Sequence, residues 1–94
     1  MKNDRTDDQL KQLYTAFTLL QNEDEVKNFL FDLCTKAELA AMAQRFRVAQ
    51  MLVENCAYNE IEEETSASSA TISRVSAFLK GRGEGGYKTV LERM

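Results

Sequence analysis

Residues 58–79 read YNEIEEETSASSATISRVSAFL, and the fold turns on how this stretch is read. Ile61 lies in the middle of a first short segment, Ala67 follows Ser66, and Ile72 and Val75 stand three apart in a second segment. That spacing predicts two short helices crossing at a steep angle around a tight turn, with those residues buried between them. Ser68 is placed to cap the second helix with its hydroxyl. Ser69, Ala70, Thr71, Ser73 and Arg74 then fall away from the buried stripe. Glu62 occupies a position where such pairs prefer a small residue, and Ser66 replaces the glycine common at the turn. Spacing alone leaves two readings open, a helix-turn-helix and an angled helix pair inside a bundle.

Working outward, the rest of the chain also reads as helix. Leu10, Leu13, Tyr14, Phe17 and Leu20 form one stripe at helical spacing, predicting a helix from Thr6 or Asp7 to Leu20. Asn22 followed by Glu25 predicts a cap and a returning carboxylate for a second helix ending at Leu33. Thr35 followed by Glu38 opens the longest helix, Lys36 to Glu54, with Leu39, Met42, Phe46, Ala49, Leu52 and Val53 on one face. Asn55 suits a left-handed stop. Beyond residue 79, a glycine-rich hinge precedes a short terminal helix between Tyr87 and Met94. The first two helices have apolar faces too wide for each other, so a second copy of the chain is the expected cover.

Composition narrows the class. Ninety-four residues fit one domain, expected to span 1–94. There is no proline, and all four glycines lie between Gly81 and Gly86, so everything before Lys80 lacks the two strongest helix breakers. With 44% hydrophobic and 29% charged residues the chain is too apolar to be disordered. It has no run of 18 apolar residues and no secretory signal pattern, which points to the cytoplasm and away from a membrane. Cys34 and Cys56 lack metal-ligand spacing and are expected to be reduced thiols. With no histidine and no base near either cysteine, an enzyme is not expected. The glycine-rich run lacks the preceding strand and the Lys-Ser/Thr ending of a phosphate-binding loop.

Two separate segments carry a family resemblance. Glu64 to Arg74, ETSASSATISR, resembles the reader segment of the Trp repressor. Leu33 to Leu39 and Ala43 to Val48 resemble the stretch just before that repressor's DNA-binding unit. The similarity covers roughly residues 29–80, and EIEEETSASSATISRV is similar to the Trp-repressor-like YerC/YecD group. The resemblance implies an all-α, intertwined homodimer in which residues 1–54 dimerise and 58–79 form a helix-turn-helix. It implies a sequence-specific transcriptional regulator, with double-stranded DNA and a second copy as partners. Ser68, Ser69, Ala70, Thr71 and Arg74 become the candidate base-reading residues, because hydroxyls and methyls at the start of a recognition helix can read base edges. Thr35, Arg45 and Arg74 match tryptophan-binding positions and define a candidate ligand pocket. Val75 stands where the repressor has glycine, and a small-to-large change in a close-fitting pocket costs about 1–3 kcal/mol. Tryptophan is therefore disfavoured as the ligand; a different corepressor, or no cofactor at all, is expected.

Charge cuts against this reading. The net charge is −3, and residues 58–79 set Glu60, Glu62, Glu63 and Glu64 against Arg74 alone. Glu62 falls where the Trp repressor has a phosphate-contacting lysine. Arg45, Arg47, Lys80 and Arg82 are the candidate phosphate contacts. The alternative is a dimeric protein-interaction module that keeps the fold and binds a partner through its acidic helix.

Overall fold

The computed structural model of the chain describes residues 4–94, with side chains from Arg5 onward, so the first three residues of the expected 1–94 domain lie outside the described residues. The elements are α1 Asp4–Thr18, α2 Glu23–Leu33, α3 Lys36–Val53, α4 Tyr58–Thr65, α5 Ser69–Ala77, a π-type turn Phe78–Arg82 and α6 Gly86–Glu92. No strand occurs among the described residues. None of these helices is long and apolar enough to cross a membrane. The chain divides after Lys36 into two units.

In the first unit, α1 begins at Asp4, ahead of the expected Thr6 or Asp7, and ends at Thr18, short of Leu20. The Thr18 hydroxyl turns back to donate to the Thr15 carbonyl at 2.6 Å. Asn22 caps α2 as its sequence predicts, its Oδ1 accepting from the Glu25 N–H at 2.9 Å. The Glu25 carboxylate returns one residue further than a capping box requires, to the N–H of Gln21 at 2.9 Å. Phe17 and Phe29 meet edge to face with ring centroids 5.4 Å apart, a favoured aromatic geometry. Yet no described side chain of this unit is buried, and Tyr14, Leu19 and Phe31 are each more than 60% exposed.

The second unit closes on itself. Val48, Ala49 and Met51 of α3, Ile61 of α4, Ala67 of the turn, and Ile72 and Val75 of α5 form its core. Four of these side chains, Val48, Ile61, Ile72 and Val75, are less than 2% exposed, each stabilising the unit by about 1.5–3 kcal/mol relative to exposure. The face expected on α3 is only partly the buried one. Ala49 is buried and Leu52 packs against the core, while Met42 and Val53 are exposed. Val48 and Met51 take the inner positions instead. This helix is apolar on more than one side, so periodicity alone did not select the side that α4 and α5 cover. Asn55 ends it in the left-handed conformation at φ 64°, as its residue type allows.

The glycine-rich segment is an ordered return. Phe78 extends α5, its N–H shared between the carbonyls of Arg74 and Val75. Gly81 then adopts φ +126°, a conformation side chains other than glycine's rarely accept. The reversal brings Tyr87 and Leu91 of α6 back against the core.

Candidate nucleic-acid interface

The α4–turn–α5 unit is held by a short series of local bonds. At the head of α4, Ala57 has no polar side chain to cap with, and the Glu60 carboxylate accepts from the Ala57 N–H at 2.9 Å. One acid of the acidic run therefore has a structural task. At the other end Ser66 is left-handed at φ 61° and donates its N–H to the Glu62 carbonyl at 2.9 Å. Thr65 steadies the turn from both sides: its hydroxyl donates to the Ile61 carbonyl at 2.7 Å and accepts from the Ala67 N–H at 3.1 Å. Gln44 Nε2 donates to the Thr65 carbonyl at 2.9 Å, fastening α3 to the turn. With these bonds made, serine suffices where a glycine is usual.

Helix α5 starts at Ser69 behind Ser68, whose Oγ accepts from the Thr71 N–H at 3.1 Å. The Ser68 hydroxyl donates to Thr71 Oγ1 at 3.1 Å, which leaves the Thr71 proton free to be given elsewhere. Ile72, Val75 and Ser76 are buried, whereas Ser69, Ala70, Ser73 and Arg74 are exposed and Thr71 is half-buried. The start of α5 thus presents small and hydroxyl-bearing side chains together with the unpaired N–H groups of a helix N-terminus, where the dipole favours an anion.

The candidate cations are not one patch. Arg45 and Arg74 line a single cavity of about 520 Å³, together with Thr71, Val75, Phe78 and Tyr87. The Arg74 guanidinium lies over the Phe78 ring at 5.5 Å from its centroid. Arg47 is engaged with Glu64: Nη2 and Nε lie 2.7 and 2.8 Å from the same carboxylate oxygen. That hydrogen bond, more than the nearby negative charge, holds its guanidinium above the usual value against the lowering effect of desolvation. Lys80 borders a depression of about 410 Å³ with Leu52, Cys56 and Ser76. Arg82 borders an apolar groove of about 580 Å³ with Phe46, Phe78, Tyr87 and Val90. Thr35, the third residue of the expected ligand pocket, belongs to the other unit, and the cavity brings together only Arg45 and Arg74 of that trio.

Sequence reasoning missed Phe78 and Tyr87 in this cavity and the Arg47–Glu64 pair. Phe78 stands four residues after Arg74, a spacing at which helix neighbours touch and so a signal that was available. Tyr87 reaches the cavity only because the glycine turn reverses the chain, and Arg47 and Glu64 are 17 residues apart on different helices. Neither has a local signal.

A structure that is helical throughout its described elements, with α4 and α5 packed through Ile61, Ala67, Ile72 and Val75 and the start of α5 exposed, defines a helix-turn-helix protein. The profile of the family described as Trp repressor protein matches residues 8–94, and the chain belongs to that family. It is 43% identical over 86 residues to the uncharacterized protein YerC of Bacillus subtilis, covering 92% of this chain and 82% of that protein. A TrpR-like protein from Eubacterium eligens superposes with a TM-score of 0.85 at 44% identity, over 92% of this chain and 88% of that one. A presumed Trp repressor from Staphylococcus aureus superposes with a TM-score of 0.88 at 38% identity, over 100% of this chain and 94% of that one.

Proposed function

We propose that this protein is a cytoplasmic, sequence-specific DNA-binding regulator, a repressor that works as a homodimer through α4 and α5. One observation carries the reading: a turn tied down from both sides presents Ser69, Ala70 and Thr71 at the start of α5 over a fully buried base. Those side chains suit base edges in the major groove, while Arg45, Arg74, Lys80 and Arg82 supply phosphate contacts. Arg47 contributes less, because Glu64 already neutralises it. Dimerisation by residues 1–54 is supported by the uncovered apolar side chains of α1 and α2. Two half-sites would then lie about 34 Å apart, one helical turn.

The cavity bearing Arg45 and Arg74 is the natural place for an effector, and an anionic group suits it. Val75 lines that cavity at the position where the Trp repressor has glycine, and the added side-chain volume disfavours tryptophan. A second reading, a dimer that binds a protein through α4, is favoured by the exposure of Glu62 and Glu63. Selection of bound sequences from a random duplex library, at about 50 and about 150 mM salt, separates the two. An enriched palindrome is expected. No enrichment at either salt, with or without small anionic metabolites, overturns the DNA reading in favour of the protein-binding one.

A further inference from the structure

We propose that Phe78 is a positioning residue for Arg74, holding its guanidinium beside Arg45 so that the two cations meet one DNA phosphate together. The proposal rests on the DNA-binding reading above and assigns a residue which that reading leaves without a role. Arg74 is exposed and has no carboxylate at ion-pair distance among the described residues, where the recorded ion pair is Arg47 with Glu64. A free arginine of this kind carries a large rotamer entropy that any bond to an anion would have to overcome. The Phe78 ring takes up that freedom in advance, its centroid 5.5 Å from the guanidinium carbon that lies over it. A cation over a ring face keeps its N–H edges open, so the guanidinium remains able to donate.

Phe78 is itself fixed for this task. Its N–H is bound by the Arg74 and Val75 carbonyls. Gly83 backs onto it so closely that a Cβ there would come within 3.2 Å of both the Phe78 Cβ and its carbonyl oxygen. The ring remains 38% exposed, so it does not behave as a core residue, and it borders the cavity that Arg45 and Arg74 share. No acidic side chain lines that cavity. Two residues along α3, by contrast, Arg47 is held by Glu64. The chain thus keeps one pair of arginines available and retires a third.

The test is a double-mutant cycle on the full chain, Phe78→Leu and Phe78→Trp, each with and without Arg74→Ala. Duplex binding is measured across salt concentrations and the fold is checked by circular dichroism. Phe78→Leu is expected to weaken binding about two- to five-fold when Arg74 is present, the size of an exposed cation–π contact. It should have no effect in the Arg74→Ala background, and Phe78→Trp should restore wild-type binding. A ring-current upfield shift of the Arg74 side-chain protons is expected in the wild type and Phe78→Trp and should vanish in Phe78→Leu. Equal losses from Phe78→Leu in both backgrounds, or failure of Phe78→Trp to rescue, would overturn the positioning role and leave a merely structural one. Absence of the ring-current shift in the wild type overturns the stack itself. A wild-type protein that shows the shift but binds no duplex overturns the DNA reading instead, and with it the phosphate role of Arg74.

Discussion

Residues 4–36 and residues 37–94 are both built of helices with apolar stripes, yet their side chains fare differently. In the second unit the stripes of α3, α4 and α5 converge, and Ile61 and Ile72 reach 0% exposure. In the first, α1 and α2 share one aromatic contact between Phe17 and Phe29 but leave Tyr14, Leu19, Phe31 and Leu33 largely in water. Local amphipathicity does not explain this, since the apolar stripes of α1 and α2 are at least as distinct as those of α4 and α5. What differs is whether the chain supplies a third helical surface to close the layer. The second unit carries its own core, so the orientation of α5 does not wait on an outside partner. The open unit leaves apolar area in water, and in the homodimer proposed above a second copy would bury it at about 25 cal/mol per Å².

The largest test of that contrast is Ile72→Ala. Because Ile72 is fully buried, its truncation should cost about 2–5 kcal/mol of stability, read from urea or thermal unfolding. A cost below about 1 kcal/mol, the size typical of surface changes, would remove the distinction between a closed and an open unit.

Phe31→Asp probes the other side. Phe31 is 64% exposed and has the Lys27 ammonium 5.8 Å from its ring centroid. The change should spare the helical content but weaken self-association at least about tenfold, roughly 1.4 kcal/mol. Sedimentation across a concentration series reads this directly. An unchanged association constant would show that this face does not join the copies.

The smallest expected effect compares the two half-buried free thiols, one in each unit. Desolvation, and then the charges of Glu60 and Glu54, push the Cys56 thiol above its ordinary range. A raised folded-state value means that stability from the neutral thiol is fully present below the ordinary thiol range and is lost as pH rises through the folded value. Alkylation of Cys56 should therefore be slow at neutral pH and accelerate only in alkaline solution. Cys56→Ala should flatten the alkaline part of the stability curve, and an unaltered curve would show that the thiol is not coupled to folding.

Much of the fold was legible because its signals are short-range. Asn22 and Ser68 cap the helices their sequence contexts assign them, and Asn55 takes the left-handed stop. Ile61, Ala67, Ile72 and Val75 occupy the predicted interior. Arg45 and Arg74 were paired through the family resemblance and do share a cavity. The same reading weighed Glu60 and Glu64 as charge opposing DNA, whereas one caps α4 and the other grips Arg47. It also gave no sign that, past the turn at Gly81, α6 packs on the core.

The sequence by itself determined the helical class, the caps at Asn22 and Ser68 and the inner residues of the α4–α5 pair. Capping, glycine placement and apolar spacing act within a turn or two of chain, so they are written locally. Only the tertiary structure decided which side of α3 is buried, which arginines stay available, and that Phe78 and Tyr87 border the cavity of Arg45 and Arg74. Those outcomes depend on where distant segments cross, and the same α3 sequence offers more than one apolar side until α4, α5 and α6 cover one of them.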